Sequence, residues 1–131
     1  ENNNVLIVEN IKELEDYVSK NPDDLDSLKI LALVYFNLTD FANSIATFKK
    51  ALILAPDDVD LLLQYASILS YKNNNSFIGE PALYVEKALN INHNSFDALY
   101  LSGFVAIDNE DYSKAKFYWQ KALSLDNTAA T

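Results

Sequence analysis

Cysteine and methionine are absent from this chain of 131 residues, and glycine, proline and histidine number only two, three and one. Without cysteine there is no disulfide framework, thiolate metal site or thiol nucleophile, and the redox compartment stays open between periplasm and cytosol. So little turn chemistry favours helices over a many-turned β fold. Basic residues are scarce as well: 10 Lys and Arg against 19 Asp and Glu leave a net charge of −9. That balance excludes nonspecific binding to nucleic acid or anionic membrane, which needs clustered cations, and is compatible with a basic protein partner. The chain has no run of eighteen apolar residues and no signal-peptide core, so no direct membrane insertion by this segment is expected. Its opening ENNNV, with no methionine anywhere, reads as an excised or processed soluble domain. Half the residues are apolar, enough at this length for one domain with a real core.

What is present is a repeat. FKKALILAPDD (48–58), VEKALNINHNS (85–95) and YWQKALSLDNT (118–128) share a Lys-Ala-Leu core, and Ala51, Ala88 and Ala122 are 37 and 34 residues apart. The second spacing is the tetratricopeptide period of roughly 34 residues. Upstream of each, Leu28, Leu31, Ala32 and Tyr35 fall at i, i+3, i+4 and i+7, one stripe of a helix. Leu62, Tyr65, Ala66 and Leu69 repeat it, and Leu99, Ser102, Gly103 and Ala106 give a smaller version. Small residues at Ala32, Ala66 and Gly103 suit close approach of paired helices. In the second helices Ser44, Phe48 and Ala51, then Ala115, Trp119 and Ala122, give small, aromatic, small. A stripe that recurs is packing before it is anything else.

Punctuation agrees. Pro22, Asp23 and Asp24, and again Pro56, Asp57 and Asp58, end one helix and place carboxylates at the start of the next, where free N–H groups and the macrodipole favour them. Asn94 and Ser95 do the same for the third unit. Thr39 and Asp40, and Asn109 to Asp111, are turns inside hairpins. Helices are predicted at 6–20, 25–38, 41–54, 59–72, 81–91, 96–108 and 111–125. The expected organisation is one all-α domain over 1–131: an N-terminal helix (1–24) whose Ile11, Leu14 and Val18 pack on the first full repeat, then repeats at 25–58, 59–95 and 96–129. The last helix carries Phe117, Tyr118 and Trp119 and lacks a polar capping helix, so one of its faces is expected to be exposed.

In YKNNNSFIGEPALYVEKALN (71–90) the middle repeat is three residues too long. The pattern predicts a turn from Asn73 to Asn75, an unusual backbone angle at Gly79, Pro81 in the first turn of the next helix, and Phe77 and Ile78 folded back on the core.

No active site is visible. The one histidine, His93, stands in a turn, and Asp23/Asp24 and Asp57/Asp58 are explained as caps. A lone histidine among scattered carboxylates makes neither a metal site nor a triad, and no Gly-rich phosphate loop exists. An amidohydrolase built on His93 would need it in a pocket beside a perturbed acid. A superhelix of helix pairs instead offers a concave face lined by the first helix of each pair. By helical phase that face holds Lys29, Leu33, Phe36 and Asn37, then Leu63, Ser67, Ser70 and Tyr71, then Tyr100, Phe104, Ile107 and Asp108. Leu33, Phe36, Leu63, Tyr71, Tyr100, Phe104 and Ile107 suit the apolar stripe of an amphipathic helix.

The segments NPDDLDSLKILALVY (21–35), APDDVDLLLQYASILS (55–70), NNNSFIGEPALYVEKALNIN (73–92) and ALYLSGFVAIDNEDYSKAKFYWQKAL (98–123), in that order, make the chain resemble the periplasmic tetratricopeptide domain of the cytochrome c maturation family. That family is the apocytochrome chaperone of the haem-ligation machinery, with nitrite-reductase-specific relatives. GEPA followed by KAL is absent from generic repeats. The resemblance implies a non-enzymatic role: holding the C-terminal segment of an apocytochrome c, or of a related multihaem enzyme, in the groove for covalent haem attachment at CxxCH cysteines. It implies no haem or other cofactor bound by the domain itself, and a periplasmic place in a membrane-anchored protein. His93 stands where the family has proline. The rivals are a scaffold for another envelope or secretion assembly, against which the irregular middle repeat argues, and a carboxylate clamp. The clamp wants polar or basic groups where Leu33, Asp97 and Leu101 stand, and only Lys29 is well placed for it.

Overall fold

The computed structural model describes residues 2–129, with side chains from Glu9 to Leu125. Residues 1, 130 and 131, and the side chains of the VLIV opening of the first helix and of the DNTAAT tail, lie outside the described residues. Seven helices follow one another: α1 (Asn2–Lys20), α2 (Leu25–Asn37), α3 (Phe41–Leu54), α4 (Val59–Lys72), α5 (Glu80–Ile91), α6 (Phe96–Asp108) and α7 (Tyr112–Ala129). There is no strand among the described residues. The expected helices are all present; the inner ends agree to within one residue, and the outermost ends differ by more. With no glycine or proline before Val5 or after Leu125 to stop them, α1 begins earlier and α7 runs on to Ala129.

The helices gather into two compact units that divide between Pro56 and Asp57. In the first, α2 packs on α3 and α1 on α2. Val18 is buried and Ile11 and Leu14 are half-buried, the three residues expected to pack on the first full repeat. In the second unit α4 pairs with α5 and α6 with α7, and α6 also meets α5 and α4.

The helix starts follow from short polar side chains accepting orphan N–H groups. Asp24, Asp40, Asp58 and Ser95 accept from Ser27, Asn43, Leu61 and Ala98 at 3.1–3.2 Å. Asp111 accepts from Lys114 in the same way at 3.1 Å. Two hairpin turns share one geometry. After α2, the N–H of Asp40 bonds the carbonyl of Tyr35 at 2.9 Å; after α6, Asp111 bonds Ala106 at 2.8 Å. This closure needs a left-handed residue, and Thr39 (φ 61°) and Glu110 (φ 59°) supply it.

The middle hairpin turns differently. Asn74 and Asn75 take φ of 56° and 62°, which asparagine tolerates. Gly79 starts α5 at φ 89°, ψ −131°, with no side-chain cap, and Pro81 occupies its first turn. Such a backbone angle is glycine's province. The loop is tied to α6, since the N–H of Phe77 donates to Asp108 Oδ2 at 2.7 Å. Phe77 is half-buried as expected. Ile78 corrects the expectation: it is 54 % exposed, because a loop strapped down through one backbone N–H turns the next side chain outward.

The repeated stripes are the core. Leu28, Leu31 and Ala32 are buried on α2, Leu62, Tyr65 and Ala66 on α4, and Leu99, Ser102, Gly103 and Ala106 on α6. Opposite them Phe48, Ala51, Val85, Ala88, Ala115 and Ala122 are buried. Tyr35 and Leu69, at the stripe edges, are half-buried.

Candidate functional site

On α6, Phe96, Tyr100 and Phe104 fall four residues apart and so form one ridge. The Phe96 and Tyr100 rings are stacked, 6.3 Å apart and 8° from parallel. Tyr100 meets Phe104 edge to face at 5.1 Å, and Phe104 meets Trp119 of α7 in the same way at 5.3 Å. Such pairs hold one another in register. Trp119 is fixed in turn: its indole N–H donates to the backbone carbonyl of Tyr100 at 3.0 Å, using the second lone pair of a helical carbonyl. Gly103 makes room for it, because a Cβ at that position would clash with the indole ring. The result is a supported aromatic row left open to solvent, with Phe96 45 %, Tyr100 47 % and Phe104 37 % exposed.

The other expected groove residues divide between the two units. On α2, Leu33 is exposed while Lys29 and Phe36 are half-buried. Phe36 packs against Phe41 at 5.7 Å. On α6, Ile107 and Asp108 are half-buried, and Asp108 is engaged by the loop. On α4, Tyr71 is exposed, and so is Ser67, whose hydroxyl donates to its own helix at Leu63 O, 2.9 Å. Leu63 and Ser70 require correction, since both are only 4 % exposed. Helical phase places them beside the open face, but half of α4 is buried, so its core arc is wider than that of α2 or α6. What is left outside is a narrow row of Asp60, Gln64, Ser67 and Tyr71, with Lys72 at the helix end. Two members of the site were missed: Phe96, legible as the residue four before Tyr100, and Trp119, read as core. The signal for Trp119 was the glycine across from it.

Among the described residues, the shifted ionisable groups are tyrosines and one aspartate that cap or pack helices. Burial, followed by a hydrogen bond to Glu15, pushes Tyr35 up to about 12, and burial followed by its neighbour Tyr84 does the same for Tyr65. Asp24 is held below the usual carboxylate range by the Tyr17 hydroxyl, 2.8 Å away, and then by the Ser27 amide. Each of these groups therefore keeps its ordinary charge at neutral pH. His93 lies exposed in the turn between α5 and α6, which removes the histidine from any hydrolase reading. Among the described residues no group of His, Asp and Glu could hold a metal, and no helix is long and apolar enough to cross a membrane.

Two hollows of about 400 Å³ also exist, one in each unit. One lies beside Val18, Leu31, Tyr35, Asn43 and Thr47, the other beside Leu89, Ser102, Ala106, Lys114 and Tyr118. Those residues occupy equivalent repeat positions. A hollow that recurs in register is a property of the stacking rather than a ligand site.

Helix pairs with small-residue stripes, caps and a roughly 34-residue period define a tetratricopeptide-repeat protein. Crystal structures of MamA have this fold: one aligns with a TM-score of 0.80 at 18 % identity over 95 % of this chain and 71 % of that one. The family model for the cytochrome c-type biogenesis protein H TPR domain matches residues 13–129, and the chain belongs to that family. It is 26 % identical over 89 % of its length to the formate-dependent nitrite reductase complex subunit NrfG of Escherichia coli. It is 29 % identical over 82 % to a putative cytochrome c-type biogenesis protein CcmH of Haemophilus influenzae. The chain spans 59 % of the first relative and 24 % of the second.

Proposed function

We propose that this domain is a non-catalytic holder that binds the C-terminal segment of an apocytochrome c, or of a related multihaem enzyme, while haem is attached to it. The observation that carries the reading is the open aromatic row of α6, supported from beneath by Trp119, in a chain of a cytochrome c biogenesis family. Exposed rings fixed in place offer a large apolar surface at little ordering cost, which is what an amphipathic helix needs from its receptor. Ser67 and Tyr71 of α4 and Ile107 of α6 extend the surface in the second unit; in the first unit Lys29, Leu33 and Phe36 of α2 are the further candidate contacts. The domain contributes no haem ligand, and its place is the periplasm, beside other subunits of the haem-ligation machinery in a membrane-anchored protein.

Titration calorimetry with the C-terminal peptide of a cognate apocytochrome and a scrambled control tests this. The native peptide is expected to bind and the scrambled one not. Phe104→Ala is expected to weaken binding by about 2 kcal/mol, as for a central anchor. Equal affinity for both peptides overturns the reading. No heat with either leaves a scaffold for another envelope assembly as the better account.

A further inference from the structure

We propose that the aromatic row of α6 selects a cation: its occupant is an amphipathic helical segment that carries Lys or Arg beside its apolar stripe. The inference rests on the peptide-holding reading and specifies the chemistry of the peptide.

Three observations carry it. First, α6 contains three solvent-open rings and two aspartates and has no Lys or Arg along its length. Asp108 is engaged by the Phe77 N–H, whereas Asp97 is exposed and stands three residues before Tyr100, on the same side of the helix. Ring faces attract ammonium and guanidinium groups within about 6 Å of the centroid, and a carboxylate one turn away adds to that attraction. Second, the combination is local. Asp26 and Asp60 hold the position of Asp97 in α2 and α4, so helix-start electrostatics alone explains an aspartate there. The rings are what differ: where α6 has Phe96, Tyr100 and Phe104, α2 has Leu25, Lys29 and Leu33, and α4 has Val59, Leu63 and Ser67. Third, the whole chain carries a charge of −9, which favours encounter with a basic segment.

The test uses the full chain and two synthetic helical peptides with one shared Leu/Phe stripe, their polar faces built from Lys and Arg in one and from Gln in the other. Calorimetry at low salt is expected to give the basic peptide about five- to tenfold higher affinity. Asp97→Asn should cost the basic peptide about threefold and leave the Gln peptide unchanged. Asp26→Asn, which changes net charge equally, should do neither. Tyr100→Leu keeps apolar area and removes the π face, so it should lower the preference while the Gln peptide still binds; circular dichroism checks that each variant is folded. Equal binding of both peptides, or equal effects of Asp97→Asn and Asp26→Asn, overturns cation selection and leaves peptide holding standing. Failure of both peptides to bind overturns both.

Discussion

The hairpin α2/α3 and the hairpin α6/α7 share one frame and fill it in opposite ways. In the first, Leu31 and Ala32 of α2 lie in the same buried layer as Phe48 of α3, and Ser44 ties the helices by donating to the carbonyl of Ala32 at 2.7 Å. In the third repeat the α6 layer shrinks to Ser102 and Gly103 and the α7 ring grows to Trp119, which ties the helices through the carbonyl of Tyr100. The middle pair has a third solution, with the aromatic moved to the first helix as Tyr65 and only Val85 on the second. Each repeat divides the bulk of this layer differently between its two helices. The consequence differs at the surface. Phe48 is wholly buried, whereas Trp119 is half-buried and meets Phe104, so bulk admitted by a glycine is passed outward to an exposed row.

The largest test of that contrast is truncation of the rings. Phe48→Ala should destabilise by about 3–5 kcal/mol in urea titration, as deletion of a fully buried ring does. Phe104→Ala, at a half-open position, should cost less than about 1 kcal/mol and act on peptide binding instead. Comparable losses from both would erase the distinction between core ring and surface ring.

Next comes the glycine. Gly103→Ala places a Cβ in clash with the Trp119 indole, and overpacking of this kind costs about 1–3 kcal/mol. Alanine would otherwise favour the helix by up to about 1 kcal/mol, so a net loss measures the clash. Adding Trp119→Leu should recover part of it, a non-additivity expected of touching residues. A thermal midpoint that rises in Gly103→Ala would show that the indole moves aside at no cost.

That glycine also marks where reading the sequence succeeded and where it stopped. Helix number, the caps at Asp24, Asp58 and Ser95, the stripes and the turn at Gly79 follow from local rules that operate within one helix or one turn, and these were legible. The irregular loop was placed correctly, but the direction of Ile78 depends on a hydrogen bond from its neighbour to Asp108, 31 residues away. Leu63 illustrates the same limit: phase gives an angle around the helix, whereas exposure depends on how much of that helix its neighbours cover. Phe96 was within reach of i, i+4 spacing; the support from Trp119 had only Gly103 as its signal, because it comes from pairing a glycine with a ring in the next helix.

The turns offer a smaller contrast. Thr39 and Glu110 both hold left-handed angles in matching turns, and a β-branched side chain bears that conformation worst. Thr39→Gly should raise stability by about 0.5–1 kcal/mol and Glu110→Gly by less, the gain being reduced by glycine's freedom in the unfolded chain. The Thr39 hydroxyl bonds the Leu38 carbonyl at 2.6 Å, and a loss of stability in Thr39→Gly would show that this bond outweighs the strain.

The finest comparison lies in how the two hairpins begin. α2 starts on a carboxylate, Asp24, and α6 on a hydroxyl, Ser95, each accepting from the residue three positions on. Only the first has a charge to lose. The Tyr17 hydroxyl, then the Ser27 amide, hold the Asp24 pKa down, so the stabilisation from this cap is fully present above the unfolded value near 3.9. It disappears as pH falls through the lower folded value. Acid should therefore loosen the start of α2 before that of α6, visible as earlier loss of amide protection at Ser27 than at Ala98. Tyr17→Phe removes the donor and should move the Asp24 carboxyl titration, followed by NMR, back toward its ordinary range. Asp24→Ser should flatten the acid limb at α2, and Ser95→Asp should create one at α6. An unmoved Asp24 titration in Tyr17→Phe would assign the depression to the helix N–H groups alone, and the two starts would then differ only in charge.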